Sequence, residues 1–187
     1  MKRHTTVLAL VSCLVLFLGM TAVALAAEAE PKVGQSVGNF KFPAPMSDDD
    51  AKYLGVAAGK EFTLKDVKAP FLLVEQFSTT CPHCMMQAPV LNDLFNRVQQ
   101  DSDLKDKVKF LAMGQGNDAT AIQMWKGFHK VPFPLFADSQ STFGKALNFT
   151  PYPVTVVADK TGKLVIVHIG AFESADEVMK ELKTKLK

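Results

Sequence analysis

The chain lacks most of the features that assign a protein by composition. Lys and Arg number 21 against 19 Asp and Glu, a formal net charge of +2 over 187 residues, which leaves no basic excess for nucleic acid. Histidine is scarce, and His129 and His168 stand alone without metal-ligand spacing, so the sequence offers no metal site. Gly114-Gln115-Gly116 lacks the third glycine and the helix register of a nucleotide loop. No internal repeat, low-complexity tract or linker interrupts the chain, and the part after the leader suits one domain with a sizeable core. Cysteine is also rare, limited to Cys13, Cys81 and Cys84.

The first of these falls in residues 1–26. Lys2 and Arg3 precede the apolar run Val7 to Val23, and Ala24-Leu25-Ala26 supplies small residues, a pattern expected of a secretory signal cleaved after Ala26. Two alternatives stay open: an uncleaved anchor, because the run approaches the roughly 20 residues that span a bilayer, and lipid attachment at Cys13 in Leu10-Val11-Ser12-Cys13. Removing the leader equalises the basic and acidic residues and leaves Cys81 and Cys84 as the remaining cysteines.

Those two are separated by Pro82-His83 and follow the apolar run Phe71 to Phe77. A dithiol with this spacing at a strand-to-helix junction has the geometry of thiol-disulfide exchange. Free N–H groups and the positive dipole end at a helix N-terminus favour a thiolate there, making Cys81 the attacking sulfur. Cys84, one turn on, is placed to resolve a mixed disulfide. The bland alternative is an inert disulfide, but a loop this small stabilises little.

Along the chain, residues 27–60 read as an extension: an extended lead-in containing Pro31, Pro43 and Pro45, then a short helix capped by Ser47 and running to about Leu54. Phe71–Phe77 and Val108–Met113 read as buried strands. Val90, Leu91, Leu94, Phe95 and Val98 give a helix after the cysteines, in which Pro89 is expected to introduce a kink. Asn117 or Asp118 caps a helix to about Phe128. Phe133–Phe136 is a short extended piece, with a helix near Ser141–Leu147. Val154–Ala158 and Leu164–Ile169 flank Asp159-Lys160-Thr161-Gly162 as an antiparallel hairpin, and a helix begins near Ser174. The class is α/β.

The strand, Cys-x-x-Cys, helix with Pro89, and Tyr152-Pro153 opening a hairpin and terminal helix together resemble the thioredoxin fold over residues 61–187. Glu75-Gln-Phe-Ser-Thr-Thr-Cys81-Pro-His-Cys84 is similar to the DsbA family. Phe62-Thr-Leu-Lys-Asp66, Phe133-Pro-Leu-Phe-Ala-Asp138 and Val156-Val-Ala-Asp-Lys-Thr-Gly-Lys163 resemble the TlpA, ResA and peroxiredoxin branch. The family's tryptophan before the first cysteine is replaced by Thr80.

The resemblance implies that Pro153 is cis beside the dithiol, although trans is the commoner state of an X-Pro bond, and makes Tyr152 a substrate contact. It also implies that Glu75 moves protons for Cys84; the alternative is a strand residue facing water or a lysine. His83 either donates a hydrogen bond or charge towards Cys81, making the disulfide more oxidising, or is simply solvated. Met85 and Met86 are read as helix core, with an adaptable apolar surface as the alternative.

The function expected is extracytoplasmic thiol-disulfide exchange with protein clients, without cofactor or metal, by a monomer recycled by a membrane redox partner. Pro82-His83 favours an oxidant and the TlpA/ResA-like body a reductant. A peroxide reductase fits less well, because Ser78 and Val74 stand where threonine and proline are expected. A non-catalytic binding module is the remaining alternative.

Overall fold

The structure, a computed structural model, describes residues 29–187. The expected signal, its cleavage after Ala26, the anchor alternative and Cys13 all lie outside the described residues. Among the described residues, no helix is long and apolar enough to cross a membrane.

Strand β1 (Phe71–Phe77) is buried at every position after its first, which explains why its sequence is nearly continuous apolar rather than alternating. It pairs in parallel with β2 (Val108–Gln115), which pairs in parallel with β3 (Leu135–Asp138). On its other side β1 runs antiparallel to β4 (Val154–Asp159), and β4 antiparallel to β5 (Leu164–Ile169). The sheet order is β3-β2-β1-β4-β5, the mixed sheet of the thioredoxin fold. Five helices accompany it among the described residues: α1 (Asp48–Leu54), α2 (Pro82–Gln100), α3 (Ala119–His129), α4 (Thr142–Leu147) and α5 (Ala175–Lys185).

The faces of the sheet carry separate cores. Leu73 and Phe77 of β1 meet Leu91, Leu94 and Val98 of α2, Ile122 of α3 and Val178 and Leu182 of α5. Leu72 and Val74 point the opposite way, into a cluster with Phe143 and Leu147 of α4 and Leu54 of α1. The lead-in completes that second core. Phe42 is fully buried and its ring stacks on Phe62 at 5.2 Å, and a bridge joins Phe42 to Phe62. Nearby, the Gly34 and Val37 N–H groups donate to the Leu164 and Gly162 carbonyls, laying this segment along the start of β5.

The expected elements form, with shifted ends. Helix α2 continues through Pro89 without a break. The short extended piece moves from Phe133–Phe136 to Leu135–Asp138. Ser141, expected to open the next helix, has φ 54° and makes no side-chain cap. Asp138 does that work instead, its carboxylate accepting the N–H groups of Thr142 and Phe143 at 2.7 and 2.9 Å. Asp118 rather than Asn117 caps α3, accepting the Ala121 N–H at 2.8 Å.

Gly114 in β2 has a packing role. A Cβ on it would run into the Ile122 side chain of α3 and meet Asn117 Oδ1 at 3.4 Å, so the missing methyl lets α3 close on the sheet. Replacing it with alanine should force Ile122 off its seat and lower stability by about 1–3 kcal/mol. Urea unfolding of Gly114→Ala beside the unaltered protein checks this, and an unchanged midpoint would show that α3 does not need the approach.

Candidate active site

Strand β1 ends at Phe77, and four residues later Cys81 is the N-cap of α2, with Pro82 at the first helical position. Proline there loses no hydrogen bond and is preset for the helix. The Cys81 sulfur takes the place of a capping oxygen and accepts the Cys84 N–H at 3.2 Å. The Cys81 N–H donates to the Ser78 carbonyl at 3.2 Å, and the Cys81 carbonyl starts the helix by accepting from Met85. Both thiols are free and buried, Cys81 at 7% and Cys84 at 1% exposure. His83 lies outside, exposed on the first turn.

Glu75 is buried, at 6% exposure, on the α2 side of β1, so it does not face water. No ion pair reaches it among the described residues. Burial pushes its carboxyl up to about 8, opposed only by a hydrogen bond from Gln87. Burial likewise raises the Cys84 thiol, reinforced by the Cys81 sulfur and by the charge of Glu75. An acid that ionises near neutrality thus stands in the field of a thiol that resists ionising, the pairing a proton transfer needs.

Gln87 was not legible as a site residue by motif. It is fully buried one turn past Cys84. Its Nε2 donates to Glu75 Oε1 at 2.9 Å and to Thr155 Oγ1 at 3.3 Å, while its Oε1 accepts the Phe172 N–H at 3.0 Å. The available signal was its position on the apolar stripe Cys84, Ala88, Leu91, where a polar residue demands partners.

The other half of the site hangs from Gln76, which points to the opposite face. Its Nε2 donates to the Phe149 and Pro151 carbonyls at 3.2 and 2.8 Å, and Gln115 Nε2 donates to the Thr150 carbonyl at 2.6 Å. These amides hold the loop leading to Pro153. The Tyr152-Pro153 bond is cis, as the resemblance implied. Gln76 pairs with Val154 and Glu75 with Thr155 across β1 and β4, so Pro153 follows in register opposite Phe77, where β1 gives way to the dithiol loop. Tyr152, 41% exposed, stands one residue beyond. Asn117, no longer a cap, accepts the Thr79 N–H on Oδ1 at 3.0 Å and ties that loop to the start of α3. The sequence carried no signal for Gln115 or Asn117.

Met85 and Met86 correct the reading as helix core: they are 43% and 59% exposed, because the buried stripe of α2 runs through Cys84, Gln87, Ala88 and Leu91 and leaves positions 85 and 86 outside. Met85 joins Thr79, Met124, Trp125 and Phe128 in lining a groove of about 440 Å³ beside the dithiol. Trp125 packs on Phe77 at 5.1 Å. His129, unassigned from sequence, packs on Trp125 at 4.1 Å, and His168 on Phe172 at 4.3 Å.

The Redoxin family profile matches residues 32–183. Thiol-disulfide oxidoreductase ResA of Geobacillus thermodenitrificans is 25% identical over 118 residues, 63% of this chain and 65% of that protein. The chain therefore spans slightly under two thirds of the length of such curated relatives. Among solved structures, StoA from Bacillus subtilis superimposes with a TM-score of 0.58 at 14% identity, covering 77% of this chain and 97% of that one. A secreted thiol-disulfide isomerase from Corynebacterium glutamicum gives 0.59 at 16%, covering 79% and 81%. At these identities the structural likeness shows the fold.

Burial of Glu75 also sets a pH dependence. Its carboxyl titrates at 4.5 in the absence of the fold and at about 8 within it, so the folded state holds the proton more tightly and unfolding releases it between those values. Stability from this group is full below about pH 4.5 and is lost as pH rises towards 8, by about 1.4 kcal/mol per pH unit at the steepest. Urea unfolding of the reduced protein from pH 5 to 8 should show this fall, and Glu75→Gln should remove it. Parallel curves for the two proteins would mean that Glu75 is ionised throughout.

Proposed function

This chain belongs to the Redoxin family, and from that premise and the geometry of Cys81 and Cys84 we propose that it is a thiol-disulfide oxidoreductase acting on protein clients outside the cytoplasm. One observation carries the reading: the Cys81 sulfur caps α2 and accepts the Cys84 N–H at 3.2 Å. A developing thiolate at Cys81 therefore meets a backbone donor and the positive end of a helix, and the second sulfur is on the adjoining turn. The thiol-disulfide oxidoreductase activity for which the ResA relatives are named and the secreted nature of the Corynebacterium protein support it.

In the oxidising direction the resting form holds a Cys81–Cys84 disulfide. A client thiolate attacks the Cys81 sulfur, the Cys81–Cys84 bond breaks, and Cys84 leaves and takes up a proton from Glu75. A second client thiolate then attacks the client sulfur of the mixed disulfide, releasing Cys81 as a thiolate and the client as a disulfide. Two electrons pass from client to protein, and a membrane redox partner removes them. Reduction of a client runs the same steps backwards. Pro153 and Tyr152 border the place a client strand occupies, and exposed His83 adds a donor near Cys81. The protein works as a monomer without cofactor.

We assign the oxidising direction because the N-cap contact and Pro82-His83 both favour the dithiol form, which raises the potential of the disulfide. The reducing direction is the second reading, favoured by the ResA relatives. Peroxide reduction has less support, since Ser78 and Val74 differ from the residues that chemistry is expected to use.

Reduced Cys84→Ser should accumulate a mixed disulfide at Cys81 with a disulfide-containing client protein, whose own disulfide is the bond broken, visible by non-reducing electrophoresis, whereas Cys81→Ser should form none. Equal trapping by both variants would remove Cys81 as the attacking sulfur. Equilibration with glutathione mixtures decides direction: a potential near about −120 mV fits a disulfide donor and one near about −270 mV a reductant. His83→Pro should shift it downwards.

A further inference from the structure

The side-chain amide of Gln87 has no freedom to turn over. The Phe172 N–H can donate only to an oxygen, so the 3.0 Å contact identifies Gln87 Oε1. Both Nε2 protons then face the other way, one to Glu75 Oε1 at 2.9 Å and one to Thr155 Oγ1 at 3.3 Å. Every hydrogen-bonding group of the amide is used. Its anchors belong to three separate parts of the fold: β1, β4 and the segment after β5.

An amide N–H donor cannot accept a proton, and a carboxyl oxygen already engaged by one is the poorer place for a proton. We propose that Gln87 is a positioning residue that holds Glu75 Oε1 unprotonated and makes Oε2 the oxygen that exchanges a proton with Cys84. The proposal rests on the reading above in which Glu75 serves Cys84. In the resolving step Cys84 gives its thiol proton to Glu75 Oε2 and its sulfur attacks Cys81 in the mixed disulfide. The Cys81–Cys84 bond forms, and the client sulfur leaves with the electron pair.

The titratable groups around Glu75 are few. Helix α2 contributes Cys84 and Cys81. On the sheet, β2 places Ala112 and β4 places Thr155 beside it, neither titratable, and β5 adds His168 opposite Thr155 on the same face. No charged side chain substitutes for Gln87. Methionine at 87 keeps the volume but removes the donor, so the ionised carboxyl loses the hydrogen bond from Gln87 and is harder to form.

The test uses the reduced protein and 5,5′-dithiobis(2-nitrobenzoate), followed by stopped flow. Attack by Cys81 releases one nitrothiobenzoate, and resolution by Cys84 releases the second. Gln87→Met should leave the first phase unchanged and slow the second by about tenfold or more at pH 7, the scale of one lost hydrogen bond to a charged group. The pH midpoint of the second phase should rise, as should that of the Glu75 carboxyl carbon observed by NMR. In a Glu75→Gln background, Gln87→Met should have no further effect.

Gln87→Leu, which removes the donor to Glu75 without adding a titratable group, provides the same comparison if the methionine variant does not fold. A wild-type second phase and midpoint in the Gln87 variants would overturn the proposal. So would slowing that adds in full to that of Glu75→Gln, since Gln87 would then act through general packing. If Glu75→Gln itself leaves the second phase unchanged, the underlying proton role fails, a result distinct from failure at Gln87.

Discussion

Two adjacent polar residues in the buried central strand organise this protein. β1 is walled by strands on both sides and by a core on each face, yet it carries Glu75 and Gln76 in succession. Strand alternation sends them to opposite faces. Glu75 goes under α2 to the dithiol, and Gln76 goes under α4 to the carbonyls before Pro153. An unpartnered amide or carboxyl at such depth costs several kcal/mol, so moving α2 off the sheet strips Glu75 of its partner and moving the proline loop strips Gln76 of its own. The dithiol and the proline loop are joined through one strand rather than through each other.

The same burial separates the roles of the two sulfurs. Cys81 is at the helix boundary, where backbone N–H groups substitute for water. Cys84 is one turn deeper, where the backbone contact from Ser78 is outweighed by burial, which holds its thiol in the protonated form. In the function proposed above, the acid within the same dry space is the proton acceptor, and burial brings its ionisation close to neutral pH. Desolvation thus hinders one step and tunes the group that relieves it.

Much of this was readable from sequence because short-range signals agreed with long-range packing. The dithiol, its helix, the hairpin and Ser47 as a cap each follow from local chemistry. Glu75 was visible as a charge in an apolar strand. What escaped notice was of two kinds. Gln87 and Gln76 lie on stripes whose burial was legible, but their partners Thr155, Phe172 and Pro151 are distant in sequence, and pairing of that sort exists only after the fold. The choice between Asn117 and Asp118, and the capping by Asp138, stayed open for a local reason: near a helix start several polar side chains compete for the same N–H groups, and tertiary contacts decide which one caps. Met85 and Met86 went outside because Gln87, a polar residue, occupies the buried stripe.

The lead-in segment bears on a different hazard. Gly34 and Val37 bond to Leu164 and Gly162 and run alongside the first residues of β5, the outermost strand on that side of the sheet. At the opposite margin β3 spans only Leu135–Asp138. A sheet margin with open backbone groups invites pairing with any extended polypeptide, and under the function proposed above a client held by a covalent bond is such a polypeptide at high local concentration. Covering the start of one margin and shortening the other restricts where a captive client could add itself as a further strand.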